Sequence, residues 1–523
     1  MNTTRRTFAT STVRRLSSVP KAQVPLNSNQ QVASQMSKSS SAKGISIESI
    51  RPAVLKVEYA VRGAVPQKAT EYSEKLTSGK GKDLPFDKIV HANIGNPQQT
   101  GLDQKPITWW RQIAALLEYP ALLENPLSSQ IFPKDVIERA KELHHDIGSV
   151  GAYTGSKGLD STRQHVAAWL EKRDGFPANF HDIYLTAGAS AGVDLIMDVA
   201  VCQGDGVLIP IPQYPLYTAT LASQEAVPLP YYLNEENNWS FDKQSVLEAI
   251  EKAKADGTTV KALVVINPGN PTGGCLSLSD IKTIISLCHQ HSILLLADEV
   301  YQANVFDPEN KPFHSFKKVL MSMTEDVRSS VPLVSFHSIS KGYSGECGRR
   351  GGFFEMVNIP KDVSDQIFKM SSVALCPPLS GQIGVDCLVR PPSTDGESYP
   401  LWKEETDGIL NSLRDRSLFM RSRFDKLEGV SCQEAEGAMY LFPRLNLPRK
   451  AIEAAKAAET TPDQFYCLAL LDATGICLVP GDGFGQVEGQ VHFRTTALSP
   501  GVESYVESIE KFHKNFMETY RDD

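Results

Sequence analysis

The sequence predicts an α/β protein built on a mostly parallel sheet with helices on both faces. Three observations carry that prediction. Between Ile183 and Lys341, short apolar β-rich runs alternate with longer stretches of helical periodicity, the pattern of repeated βαβ units. The runs are continuous and only a few residues long, so they read as buried strands. Each one ends in polar or glycine-rich residues, and open α/β sheets bind their ligands at the carboxyl ends of strands.

In chain order, the first feature is a basic leader. From Met1 to Ile47 there is no Asp or Glu, while Arg5, Arg6, Arg14 and Arg15 sit among Ser and Thr. That is the composition of a mitochondrial presequence, read here as residues 1–45, with an ordinary disordered tail as the alternative. "RTFATS" (Arg6 to Ser11) also resembles an intermediate-peptidase site of mitochondrial precursors. No apolar segment follows the arginines, which argues against a secretory signal. The expected address is the mitochondrial matrix, with a cytoplasmic form left open. The strands follow as "IYLTAG" (Ile183 to Gly188), "GVLIP" (Gly206 to Pro210), "KALVVINP" (Lys261 to Pro268), "ILLLADEVY" (Ile293 to Tyr301) and "PLVSFHSIS" (Pro332 to Ser340). "RPPSTDGESYP" (Arg390 to Pro400) reads as a surface excursion before a helical run from about Leu401.

A chain of 523 residues exceeds one compact core and predicts about two to four domains. No apolar run approaches the roughly 20 residues that cross a bilayer, so no membrane association is expected. A net charge of -8 without a basic, aromatic-laced stripe gives no reason to expect nucleic acid. The nine cysteines are scattered and form no C-x-x-C pair. Free thiols are expected, with neither a disulfide framework nor a metal site.

The strand ends carry the chemistry. Gly188 to Ser190 form a turn opening a helix, where free N–H groups favour an anion such as phosphate, although such turns are common without one. "NPGNPTGG" (Asn267 to Gly274) braces two asparagines with two prolines, which either closes an Asx-turn or presents the Asn270 amide. Asp298 ends so apolar a run that its carboxylate must lose water, and a cation or several donors must compensate. Tyr301 can project its phenol into the same space. Tyr214 offers an aromatic face for a planar ligand, while Tyr217 reads as loop packing. "SFHSISKGYSGECGRRGGF" (Ser335 to Phe353) then places one lysine, Lys341, between hydroxyl residues and a glycine-flanked arginine pair. A ring nitrogen opposite Asp298, an oxygen met by Tyr301 and Asn270, a phosphate on a helix N-terminus and an amine able to form an imine together describe pyridoxal 5'-phosphate.

The ordered set "NIGNPQ", "AYTGSKG", "NPGNPTG", "DEVY", "SISKGYSGECGRRGG" and "HFRTT" resembles the class I aminotransferases of fold type I. The resemblance runs from about Ile45 to the C-terminus. It implies a large domain at 126–400 holding the sheet. A smaller α+β domain at 401–523 would be joined by an arm and further small-domain residues at 46–125. It also implies that Lys341 carries the cofactor, Asp298 pairs with the ring nitrogen and Asn270 with Tyr301 meets the ring oxygen. Tyr214 would stack on the ring. Ala189, Ser190, Ser338, Ser340 and an arginine after the lysine would hold the phosphate. The lysine-to-arginine interval is one residue longer than the family's usual one, so Arg350 is chosen over Arg349. Tyr153 would reach the phosphate of a partner subunit, implying a homodimer, and Gly95, Asn270 and Arg494 would bind the substrate. "VEYAVRGAVP" and "KGYSGECGRRGGF" resemble members acting on alanine, which implies L-alanine and 2-oxoglutarate as substrates and pyruvate and L-glutamate as products. Glutamate:glyoxylate transamination, a PLP lyase and a non-catalytic PLP-fold regulator are the competing readings.

Overall fold

The computed structural model describes residues 45–58, 63–102 and 104–522. The chain divides into two units, residues 1–52 and 53–523. In the first, the described residues form a turn closed by the Ser46 N–H donating to Ser49 Oγ at 2.7 Å. The expected presequence, residues 1–45, lies outside the described residues except at its last position. All that follows concerns the second unit.

Seven strands form the main sheet, the central ones where Val, Ile and Leu are densest. They are β1 (Ile183–Thr186), β2 (Gly206–Ile211), β3 (Val227–Tyr232), β4 (Val260–Ile266), β5 (Leu294–Asp298), β6 (Leu333–Ser338) and β7 (Gly352–Val357). Their order across the sheet is β1-β7-β6-β5-β4-β2-β3. Every neighbouring pair is parallel except those of β7, which runs antiparallel between β1 and β6.

The five predicted strands are all present, and two further strands went unforeseen. β3 reads "VPLPYY", and its two prolines cannot donate to a ladder, so it is confined to the sheet edge with one neighbour, β2. β7 reads "GFFEMV", is almost wholly buried, and extends the sheet beyond the lysine where the βαβ alternation stops.

Side-chain alternation sorts the sheet into two faces. Leu295 and Ala297 of β5 pack with Leu263, Val265 and Ile281 on one side. Leu296 packs with Val193, Ile196 and Met197 of helix Ala189–Ala200 on the other. Each such fully buried aliphatic side chain stabilises the fold by about 1.5–3 kcal/mol. Asp298 shares the parity of Leu296, so strand geometry carries its carboxylate toward the N-terminal end of that helix.

A second layer is built from shorter pieces. Strands Tyr440–Leu441, Phe493–Thr496 and Val479–Pro480 form a small antiparallel sheet. Val90–His91 pairs parallel with Ile476–Cys477. Helices Tyr399–Phe424, Pro462–Thr474 and Val502–Thr519 surround a core containing Phe424, Tyr466, Phe493 and Val506. The first of these begins two residues before the Leu401 expected from periodicity. Among the described residues no helix is long and apolar enough to cross a membrane, and no group of side chains could hold a metal ion.

Candidate active site

A cavity of about 760 Å³ opens at the carboxyl ends of β5 and β6 and is closed by the smaller layer. Of the residues singled out from the sequence, twelve line it: Gly95, Ala189, Ser190, Tyr214, Asn270, Asp298, Tyr301, Ser338, Ser340, Lys341, Arg350 and Arg494. Tyr153 lies outside it and is 79% exposed.

Lys341 follows β6 in a tight turn, and its Nζ donates to the Gly95 carbonyl at 2.6 Å. Position 95 tolerates no side chain, because a methyl group built there would come within 1.8 Å of the Tyr440 hydroxyl. Asp298 is 5% exposed. Burial pushes its carboxyl up to about 6, while donation from the Tyr217 hydroxyl at 2.9 Å, from the Val300 N–H at 3.3 Å and the charge of Lys341 act in the opposite direction.

One end of the cavity is formed around the N-terminus of a helix. Gly188 caps helix Ala189–Ala200 with φ +86°, a region open to glycine. A Cβ on Gly188 would lie 2.4 Å from Arg350 Nη2. Arg350 is anchored by donation to the carbonyls of Ala187 at 2.9 Å and Cys347 at 3.0 Å. Arg349 instead turns away from the cavity, donating to Glu346 at 3.2 Å on the carboxylate that Arg111 also engages at 3.0 Å. Ser338 shapes the loop by donating to the Gly351 carbonyl and accepting the Ser340 N–H, both at 3.1 Å.

Arg494 is buried opposite this end. Its Nη1 donates to Asn270 Oδ1 at 3.1 Å and its Nη2 to the Asn93 carbonyl at 2.7 Å, whereas its buried Nε has no protein partner. The guanidinium lies between the rings of Tyr440 at 4.2 Å and Phe484 at 4.7 Å. In the NPGNPTGG turn Asn267 makes a longer-range brace rather than an Asx-turn, accepting the Leu276 N–H at 2.9 Å, and the Asn270 side chain is presented to the cavity. Tyr301 donates its hydroxyl to that of Tyr440 at 3.3 Å.

Two residues of this constellation escape sequence reasoning. Tyr217 is not loop packing: helix Leu216–Gln224 starts one residue earlier and buries the phenol against Asp298. Pro215 just before a helix-compatible run was the available signal. Tyr440 sits in "GAMYLF", where no local feature separates it from a core tyrosine. Its position follows only from the pairing of Tyr440 with Thr496, two residues from Arg494.

A seven-stranded α/β sheet with one lysine at the mouth of its ligand-binding edge defines a fold type I transferase. The family model for aminotransferase class I and II matches residues 124–507, and the chain belongs to that family. It is 47% identical over 489 residues to alanine aminotransferase 1, mitochondrial, of Arabidopsis thaliana, covering 92% of this chain and 89% of the relative. It is 46% identical over 486 residues to glutamate–glyoxylate aminotransferase 2 of the same plant, covering 92% of this chain and 98% of the relative. Among solved structures, alanine aminotransferase from Pyrococcus furiosus superposes with a TM-score of 0.68 at 23% identity, covering 89% of this chain and 100% of that one, a likeness of fold.

Proposed function

We propose that this aminotransferase interconverts L-alanine and 2-oxoglutarate with pyruvate and L-glutamate, using pyridoxal 5'-phosphate held at Lys341. The observation that carries the reading is the convergence of Lys341, buried Asp298 and buried Arg494 on one cavity, in a chain 47% identical to an alanine aminotransferase. Incubation with alanine and 2-oxoglutarate, then with glyoxylate or aspartate replacing each, tests it. A clear preference for another donor overturns the choice of alanine. The 46% identity to a glutamate–glyoxylate enzyme makes glyoxylate the informative alternative acceptor.

The residues present fit the cofactor. Asp298 is a carboxylate whose pKa is raised by burial and that lines the cavity, where a protonated ring nitrogen would compensate its charge. Gly188 leaves open the space that a Cβ would fill beside Arg350 and the helix N-terminus. Asp298 would hold a proton on the ring nitrogen, Tyr214 would stack on the ring, and Tyr301 with Asn270 would meet the ring oxygen. Ala189, Ser190, Ser338, Ser340 and Arg350 would hold the phosphate. When bound, the cofactor supplies a carbonyl carbon for the amino group and a conjugated ring that takes up the electrons of the broken Cα–H bond.

Lys341 is the one amine lining the cavity among the described residues, so it is the group able to take a proton from Cα and return it. Arg494 offers a planar fork to the substrate α-carboxylate, and its sandwich between two rings fixes that fork before substrate arrives. Gly95 provides the close backbone approach beside it. Two half-reactions through one site give ping-pong kinetics. Arg494→Ala is expected to weaken alanine and glutamate alike, by on the order of 2 to 5 kcal/mol in kcat/KM, because each carries the same α-carboxylate. An effect confined to one of them would remove Arg494 from that role.

The proposal extends to a homodimer in which exposed Tyr153 reaches the partner's phosphate site, and to a large domain at 126–400 completed by small-domain residues at 46–125 and 401–523. The seven-stranded sheet, contained within Ile183–Val357, supports that division. The basic leader and a mitochondrial relative support import into the matrix. Cell fractionation should recover a shortened protein in mitochondria, and full-length protein confined to the cytosol would refute import.

A further inference from the structure

Tyr440 lines the cavity without a role in the reading above. Its ring lies 4.2 Å from the Arg494 guanidinium, and its hydroxyl accepts a hydrogen bond from Tyr301 at 3.3 Å. A methyl group built on Gly95 would be 1.8 Å from that hydroxyl and 3.1 Å from Lys341 Nζ, so phenol and amine border the same small space. We propose that Tyr440 is a further acid–base residue of this site, exchanging one proton with the Lys341 amine. The inference rests on the assignment of Lys341 as the reactive amine.

The step balances as a proton transfer. A Lys341 N–H bond breaks with its electron pair left on nitrogen, and an O–H bond forms on Tyr440. The reverse transfer restores both groups, and nothing is oxidised or reduced. An ammonium has no lone pair with which to accept the Cα proton, so a neighbouring base that relieves it of a proton makes it competent. In the cofactor-free protein Tyr301 donates to the Tyr440 oxygen, and the Lys341 and Arg494 cations favour that oxygen when it is deprotonated. The charged and titratable groups facing that oxygen are Lys341, Arg494, Tyr301 and Cys347. Burial raises the Tyr440 phenol and Cys347 opposes ionisation, but the two cations and the Tyr301 hydrogen bond outweigh them and hold it below the usual phenol range. Burial and the neighbouring Tyr440 instead hold Tyr301 well above that range, so the two phenols of one hydrogen-bonded pair are driven apart.

Tyr440→Phe separates the hydroxyl from the ring, since phenylalanine can still cover Arg494. Borohydride reduction of the holoenzyme and peptide mapping first locate the cofactor. Attachment anywhere but Lys341 overturns the assignment of that lysine and this inference together. With attachment at Lys341, Tyr440→Phe is expected to lower kcat roughly 100-fold while KM for alanine stays within about twofold, the range of a lost acid–base group. Unchanged kcat, or a loss carried wholly by KM, overturns this inference alone. A readout independent of turnover is the titration of ring-labelled tyrosines by NMR in the full chain. One phenol should ionise below the rest, vanish in Tyr440→Phe and move to higher pH in Lys341→Met. A resonance indifferent to Lys341→Met would also overturn it.

Discussion

Lys341→Ala is expected to abolish both turnover and the absorption band of a cofactor carried covalently on the protein. No second amine lines the cavity among the described residues, so nothing adjacent can substitute. On the proposed roles of Lys341, the variant would lose the attachment point and the proton carrier together. Since proton transfer alone contributes roughly 100- to 10,000-fold, a fall of at least about a thousandfold in kcat is the expected result. The fold should survive, because the amine's hydrogen bond is to the Gly95 carbonyl at a cavity wall rather than within a core. Absorption spectra and turnover measured on one preparation decide the matter. A variant that keeps the band and the wild-type rate would sink the cofactor assignment.

Asp298→Asn should be nearly as damaging, and it separates catalysis from stability. With a neutral amide, nothing holds a proton on the cofactor's ring nitrogen, so turnover should fall steeply while some cofactor remains bound. In the ligand-free protein the Asp298 carboxyl is pushed up to about 6 from an ordinary 3.8. Its protonated form, which cannot pair with a cation, prevails below that pH, so cofactor affinity should weaken as pH falls through about 6. The asparagine variant should show no such step. Stability runs the other way. A carboxyl whose pKa is raised on folding favours the fold at low pH, and that contribution is lost as pH rises through about 6. At pH 8 the ligand-free Asn variant should therefore be the more stable protein, by at most on the order of 3 kcal/mol. Thermal melts with and without cofactor would test this, and normal transamination by the variant would leave Asp298 a merely structural carboxylate.

The portion of the site legible in the sequence consists of residues whose chemistry and strand-end position coincide. Asp298 is conspicuous because a charge ends an apolar run, and Lys341 because hydroxyls and arginines flank it. Gly188 is conspicuous because a strand stops there and a helix begins. Arg494 and Gly95 became visible through family resemblance, since neither neighbourhood announces an anion site. Tyr440 and Tyr217 stayed hidden for a different reason. Their roles depend on which strand lies beside Phe493–Thr496 and on where a helix starts, quantities set by tertiary pairing rather than local composition. The same limit explains the strands. Central β4 and β5 announce themselves by apolar content, whereas proline-bearing β3 and antiparallel β7 break the local pattern while satisfying the sheet as a whole.

The pairing of Val90–His91 with Ile476–Cys477, together with Arg494 on strand Phe493–Thr496, has a bearing on how the protein comes into being. The cavity draws on residues from Pro66 to Arg494, so almost the whole chain must leave the ribosome before its walls can meet. Domains generally fold as units as synthesis proceeds, and the seven-stranded sheet, complete at Val357, can form well before the last wall is made. During that interval the nascent protein would hold Lys341 at the end of its strand with the Arg494 side of the cavity still missing. A message cut short between codons 357 and 494 would leave the strands of the sheet without the wall that carries Arg494. Completion of the cavity is thus timed by the synthesis of Arg494 rather than by that of Lys341.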